Sequence, residues 1–232
     1  MTVEVCLTPA LIDQHSLNGK IAVVVDIFRA TSCMVAGLSF GISAIYPVSE
    51  VEKCLENGKK GMIIAGERGG EKIEGFDIGN SPFDYLNPDF KGREVCVTTT
   101  NGTHAIEQAK AAKQILIGSF LNLSATAGYL KNQKKEVLIL CAGWRGTPNL
   151  EDTLFAGNLI SKLQDFTLTG DSGLLALSLY QRHQNELYDI SKMSSHAKRL
   201  SGMGIERDIE YCMKTDLYEE VMILQGDRVV KT

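Results

Sequence analysis

The chain has 232 residues, a formal net charge of −4, 44% hydrophobic and 22% charged residues. It is long enough to bury a sizeable core without covalent staples. Lysines and arginines are interspersed with acids, with no basic stripe of the kind a non-specific nucleic-acid binder carries. No apolar run approaches the roughly 18 residues of a membrane span, and the opening segment, with Glu4 and no basic n-region, does not read as a signal peptide.

Six cysteines, at 6, 33, 54, 96, 141 and 212, are scattered without a C-x-x-C pair. Most sit in apolar runs, where free cysteine acts as a small hydrophobe. This usage favours a reducing compartment, hence a cytoplasmic location. The oligomeric state is open, a homo-oligomer included.

In chain order, Val3–Leu7 reads as a short strand and Ile21–Asp26 as a second. The second is apolar at consecutive positions, as a strand buried on both faces should be. Thr31–Phe40 is an expected helix closing at Gly41, and Ala44–Val48 a strand. Ser49–Glu52 has the pattern of a capping box opening a helix that stops at Gly58. Strand Met62–Ala65 leads into a glycine-rich segment, Gly66 to Pro82. A connection of that length is usually functional or disordered. Its apolar anchors Phe76, Ile78 and Phe83 predict an ordered active-site loop.

Strand Val95–Thr99, helix Gly102–Ala112, strand Ile115–Gly118 and helix Ser124–Leu130 follow. Strand Val137–Cys141 and helix Leu150–Leu163 complete the alternation. Ser172–Tyr180, with Asp171 as N-cap, Ser195–Leu200 and Ile205–Met213 read as helices, and Val221–Leu224 as a late edge strand. Alternating strands and helices predict an α/β fold: three α/β/α layers around a parallel or mixed sheet. With no Pro/Ser-rich linker, residues 1–232 read as one α/β domain. An echo between Val24–Leu38 and Leu116–Leu130 leaves two similar lobes open.

Five apolar runs end in small or polar residues, and ligands of parallel α/β sheets bind at strand C-terminal ends. Asp26 ends a Val-Val-Val strand, where a carboxylate is costly unless paired or metal-bound. It is a candidate Mg²⁺ ligand or nucleophile. The structural alternative is a helix N-cap or a partner for Arg29. Arg29 can fork onto phosphate or sulfonate oxygens, or form a surface ion pair. Glu67 and Arg68 stand among glycines at a second tip, Glu67 as a metal ligand or base and Arg68 for an anion. Asp77 and Asn80 fit turn formers.

Thr98-Thr99-Thr100-Asn101-Gly102-Thr103 is the anion cradle with the strongest sequence case, although the P-loop lysine is absent. Thr99, Thr100, Asn101 and Gly102 are its expected contacts, and Ser119 and Asn122 repeat the idea more weakly. Arg145 precedes Glu151 and Asp152. These acids suit a first helical turn, and Asp152 equally suits a hard cation. The histidines show no zinc spacing. His196 is a candidate general acid or an ordinary surface histidine.

The blocks VVVDIFRAT, AGERGG, GFDIGNSP, TTTNGT, GSFLN, CAG and LEDTLFAG, with the later SSHAKRL and DIEYC, occur in an order and spacing that resembles the 2-phosphosulfolactate phosphatase family. The resemblance spans roughly residues 3–224. It implies a Mg²⁺-dependent phosphatase of three-layer α/β/α fold that converts (R)-2-phospho-3-sulfolactate to 3-sulfolactate and phosphate, a step of coenzyme M biosynthesis. On that reading the partner is a small anionic phosphorylated sulfonate, not nucleic acid or a membrane. Asp26, Glu67 and Asp152 are then the expected metal ligands and, with Arg29, the catalytic set. Arg68, Arg145 and the Thr99–Gly102, Ser119 and Asn122 positions would bind the substrate.

Three rival chemistries use the same tips. Haloacid-dehalogenase enzymes need D-x-D, and Phe28 occupies the second acid's place. A cysteine hydrolase of isochorismatase type would use Asp26 and Cys141. A non-enzymatic binder of sulfonates or phosphates would need the cradle alone.

Overall fold

The computed structural model describes residues 1–232. Its strands are β1 (Thr2–Cys6), β2 (Ile21–Val25), β3 (Ala44–Pro47), β4 (Ile63–Arg68), β5 (Glu71–Lys72), β6 (Glu94–Thr98), β7 (Gln114–Gly118), β8 (Val137–Cys141), β9 (Thr167–Leu168), β10 (Met222–Gln225) and β11 (Arg228–Lys231). The helices are α1 (Ala30–Phe40), α2 (Val51–Lys59), α3 (Pro82–Tyr85), α4 (Gly102–Gln108), α5 (Leu123–Gln133), α6 (Leu150–Lys162), α7 (Asp171–His183), α8 (Leu187–Ser191), α9 (Ser195–Ser201) and α10 (Glu206–Cys212).

All strands belong to one mixed sheet with helices on both faces, as the alternation predicts. Strand β2 shows why consecutive apolar residues are needed. Val23 and Val25 pack with Ile139, Leu154 and Phe155 on one face. Ala22 and Val24 pack with Met34, Leu38 and Ile106 on the other. A smaller cluster of Cys54, Ile64, Phe76 and Cys96 lies beneath α2.

The strand order is β5-β4-β6-β3-β11-β10-β7-β2-β8-β1-β9. Two parallel blocks, β4-β6-β3 and β7-β2-β8-β1-β9, are joined by the β10–β11 hairpin. That hairpin is antiparallel to β7 on one side and to β3 on the other. Three successive antiparallel pairings leave the two blocks running in opposite senses, so the tips do not share one edge as they would in a simple parallel sheet. Five strand-to-strand steps separate β6 from β2, yet the turn after β6 meets the residue after β2: a Cβ placed on Gly102 would lie 2.8 Å from Asp26 Oδ2.

Several local expectations hold and several do not. Strand β8 has its predicted bounds, and α1 closes at Gly41 with φ 128°. The glycine-rich segment is ordered: β5 folds back on β4, Phe76 is buried, and Ile78 bridges Ala65. The capping box at Ser49–Glu52 does not form. Helix α2 starts at Val51 behind an uncapped Glu50 and runs through Gly58, while the Ser49 carbonyl accepts bonds from Arg68 and Thr98. Asp171 is the first residue of α7, not its cap. The late strand β10 is central rather than at an edge, because β11 returns beside it through Gly226.

Candidate active site

Asp26 follows β2 directly and is buried. Its main chain is tied down by Thr31, whose hydroxyl accepts the Asp26 N–H at 3.0 Å and donates to the Asp26 carbonyl at 2.9 Å. Burial pushes the Asp26 carboxyl up to about 7; His196 opposes that rise, and the negative charges of Glu67 and Glu151 add to it. Arg29, not Asp26, holds the N-cap position of α1 and gives it no side-chain bond, but the Ala30 N–H at the start of that helix bonds the Asp26 carboxyl and opposes its rise. Asp26 is not the partner of Arg29, which pairs with Asp208.

Arg29 is buried and pairs with Asp208 of α10, and its second terminal nitrogen donates to the Gly70 carbonyl at 3.2 Å. Asp208 also accepts from Ser81 Oγ at 2.9 Å. Glu67, near the end of β4, accepts the backbone N–H of Gly70 at 2.6 Å on one oxygen and that of Thr100 at 2.7 Å on the other. It thus clips the glycine-rich loop to the threonine turn after β6.

These groups line one cavity of about 120 Å³. Asp26, Arg29, Glu67, Thr100, Asn101 and Arg145, all singled out in the sequence, face it together. Gly102 abuts it from beneath, with no room for a larger side chain: an added Cβ would lie 2.5 Å from Ala30 Cβ. Phe28, Gly69, Gly70, Asn80, Trp144, His196, Arg199 and Leu200 complete the wall.

Five expected residues lie elsewhere. Asp152 is fully buried behind the wall, where its two oxygens accept the backbone N–H groups of Ile27 at 2.8 Å and Gly143 at 3.1 Å. Burial, then the charges of Asp26 and Glu151, push its carboxyl well up. It locks the residue after Asp26 to the loop after β8. Arg68 is exposed and turned outward, donating to the Glu67 and Ser49 carbonyls and to Thr98 Oγ1. Thr99 exchanges reciprocal bonds with Thr103 at the start of α4. Ser119 and Asn122 form a capping box beside β7, with Ser119 bonded to Ser32 and Asn122 to the Glu220 carbonyl. Cys141 is also buried, and burial pushes its thiol well up, which disfavours a thiolate nucleophile there.

The third arginine at the cavity is therefore Arg199, not Arg68. Its guanidinium donates to the Gly69 carbonyl at 2.6 Å and lies over the Trp144 ring, with Arg145 over the same ring. His196 is buried, not a surface histidine, and stacks on Trp144 with centroids 5.4 Å apart. Neither α9 residue has a sequence signal beyond its place in SSHAKRL, because its neighbours come from the loop after β8 and from β4. Asn80 was expected only to form a turn. Its Oδ1 is buried without a partner at the cavity wall, as is Arg199 Nε. Unsatisfied buried polar atoms are costly, and Asn80 and Arg199 are the two cavity residues that carry one.

A family model for 2-phosphosulpholactate phosphatase matches residues 6–227. The chain belongs to the 2-phosphosulfolactate phosphatase family. It is 43% identical over 205 residues to a probable 2-phosphosulfolactate phosphatase of Thermotoga petrophila, covering 88% of this chain and 89% of that one. It is 37% identical over 227 residues to the counterpart from Caldanaerobacter subterraneus, covering 95% and 94% of the two chains. The Synechocystis counterpart is 35% identical over 229 residues, covering 94% of each. The resemblance read from the ordered blocks is thus a family membership over nearly the whole phosphatase chain. No helix in it is long and apolar enough to cross a membrane, and all six cysteines are free and buried.

The three carboxylates expected to hold a metal do not converge: no group of three or more His, Cys, Asp or Glu side chains stands in metal-holding geometry. Mg²⁺ does not require one. It keeps several waters and commonly takes one or two carboxylates together with substrate phosphate. Asp26, Glu67 and Asn80, which all line the cavity and offer oxygen donors, fit that chemistry.

Proposed function

We propose that the chain is a Mg²⁺-dependent phosphatase acting on (R)-2-phospho-3-sulfolactate, releasing 3-sulfolactate and phosphate. The observation that carries this reading is the enclosure of two carboxylates with three arginines in one small cavity. Two carboxylates alone would repel a polyanion, and three arginines alone would only bind one. Phosphoryl transfer needs both a place for charge neutralisation and a rigid orientation of the ester.

Arg29 is the phosphoryl-binding group in this account, because its guanidinium is immobilised by Asp208 and lines the same cavity as Asp26. Arg145 and Arg199, both over the Trp144 ring, take the sulfonate and carboxylate of the substrate. Asp26, Glu67 and Asn80 would hold Mg²⁺, which when bound neutralises charge on the phosphoryl oxygens. Trp144, Phe28 and Leu200 exclude water from the bond that breaks. Free thiols fit a cytoplasmic enzyme, and the substrate chemistry fits a hydrolytic step of coenzyme M biosynthesis.

Phosphate release from 2-phosphosulfolactate, measured with Mg²⁺ and after chelation, tests the reading. Turnover with the ion and its loss on chelation support it. Binding of the ester without release of phosphate, with or without the ion, would reduce the site to a sulfonate or phosphate receptor.

A further inference from the structure

Behind the aromatic rim lies a pair of residues that the account above does not use. Glu151, at the start of α6, is fully buried. One of its oxygens is 2.8 Å from His196 Nδ1, and the other has no partner. A carboxylate so placed must meet an N–H, so Nδ1 carries the proton. On the far side of the ring, Arg199 approaches Nε2 at 3.3 Å. A guanidinium can only donate, so Nε2 is the acceptor. The two contacts together fix one tautomer, with the Nε2 lone pair on the side of Arg199. The ring itself is held by stacking on Trp144 at an interplanar angle of 9° and by the tilted edge of Phe28, 6.4 Å away between centroids. His196 lines the same cavity as Asp26 and Arg29.

We infer that His196, oriented by Glu151, is the proton carrier of the hydrolysis, acting through Nε2 on the bridging ester oxygen. The inference rests on the phosphatase reading. The leaving group is the alkoxide of a secondary alcohol, a poor leaving group unless it is protonated as the bond breaks. His196 enters the step as the neutral Nδ1–H tautomer, its Nδ1 proton held by Glu151. Water forms the new P–O bond as the P–O(C) bond breaks. Nε2 takes the proton that this water loses and gives it to the departing oxygen, which becomes the hydroxyl of 3-sulfolactate. One water is consumed, one ester bond is lost, and His196 ends the cycle as it began. Glu151 does not touch the substrate. It is a positioning residue, selecting the nitrogen that exchanges the proton.

The test compares the wild-type chain with His196→Gln on two small substrates, 2-phosphosulfolactate and acetyl phosphate, whose acetate leaves without a proton. A positioned general acid contributes about 10²–10⁴-fold. That loss in kcat is expected for His196→Gln on the sulfonate ester, with a much smaller loss on acetyl phosphate. Equal losses on the two substrates, or an unchanged kcat on the first, overturn the assignment. Imidazole ¹⁵N spectra of the labelled protein read the same arrangement without turnover. The Nδ1–H tautomer is expected for His196 in the wild type and its loss in Glu151→Gln; an Nε2–H tautomer in the wild type overturns it. If the wild type accepts only the sulfonate ester, kcat on that ester and the tautomer decide. If it releases phosphate from neither substrate, the phosphatase reading falls, and the proton carrier with it.

Discussion

Arg29 and Asp208 form a buried ion pair between residues 179 positions apart, one after β2 and the other on α10. Asp208 fixes the guanidinium that faces the cavity and is itself bonded to Ser81. Removing one partner of a buried pair strands the other charge, at a cost of about 3–5 kcal/mol. Asp208→Ala should therefore lower stability by that order in urea unfolding and depress turnover. A stability change below about 1 kcal/mol would show the pair to be solvated and the arginine free to move.

Asp26→Asn should abolish turnover. It should also alter the pH dependence of stability in chelator-treated protein. Between the ordinary value of 3.8 and the buried value of about 7, native Asp26 holds a proton that the unfolded chain has released. Stability thus falls as pH rises through that window and levels off above it. The slope should be shallower in Asp26→Asn, with a stability difference between pH 4 and pH 8 of order 1–4 kcal/mol. Unfolding midpoints across that range check the sign. A wild-type protein that gains stability from Asp26 over the same window would contradict it.

Gly102→Ala should damage the site through sterics alone. The new Cβ would meet Ala30 Cβ at 2.5 Å and Asp26 Oδ2 at 2.8 Å, both held by rigid elements. Overpacking of this kind costs typically about 1–3 kcal/mol, and the displaced carboxylate should lose activity out of proportion to that loss. Thermal melts and kcat, measured on the same preparation, separate the two effects.

Much of this was legible in the sequence because the signals are local. Apolar runs marked the buried strands, and Asp26, Glu67 and Arg145 stood at their tips. What escaped depends on distance in sequence. Strand β11 is short, with Arg228 and Lys231 at its ends, and only the Gly226-Asp227 turn announced a hairpin. Its omission hid the reversal between the two parallel blocks. His196 and Arg199 acquire their roles from Glu151, Trp144 and Gly69, which no spacing within α9 encodes. Arg68 was drawn toward the site by its neighbour Glu67, yet side chains alternate along a strand and the two point apart.

The exchange of Arg68 for Arg199 is directly measurable. A hydrogen bond to a charged group contributes about 1.5–3 kcal/mol, or roughly 10–150-fold. Arg199→Ala should raise KM for 2-phosphosulfolactate within that range, while Arg68→Ala should leave it nearly unchanged. The reverse pattern would place the outward-facing arginine on the substrate.

Phosphate at Arg29 and sulfonate at Arg145 and Arg199 match the cavity to a phosphorylated sulfonate. The most direct measurement is kcat/KM for 2-phosphosulfolactate against 2-phospholactate, which lacks only the sulfonate, at one Mg²⁺ concentration. The account predicts a preference for the sulfonate ester of roughly 10–150-fold, the worth of one charged hydrogen bond, and its collapse in Arg145→Ala and Arg199→Ala. Equal kcat/KM for the two esters in the wild type would contradict it.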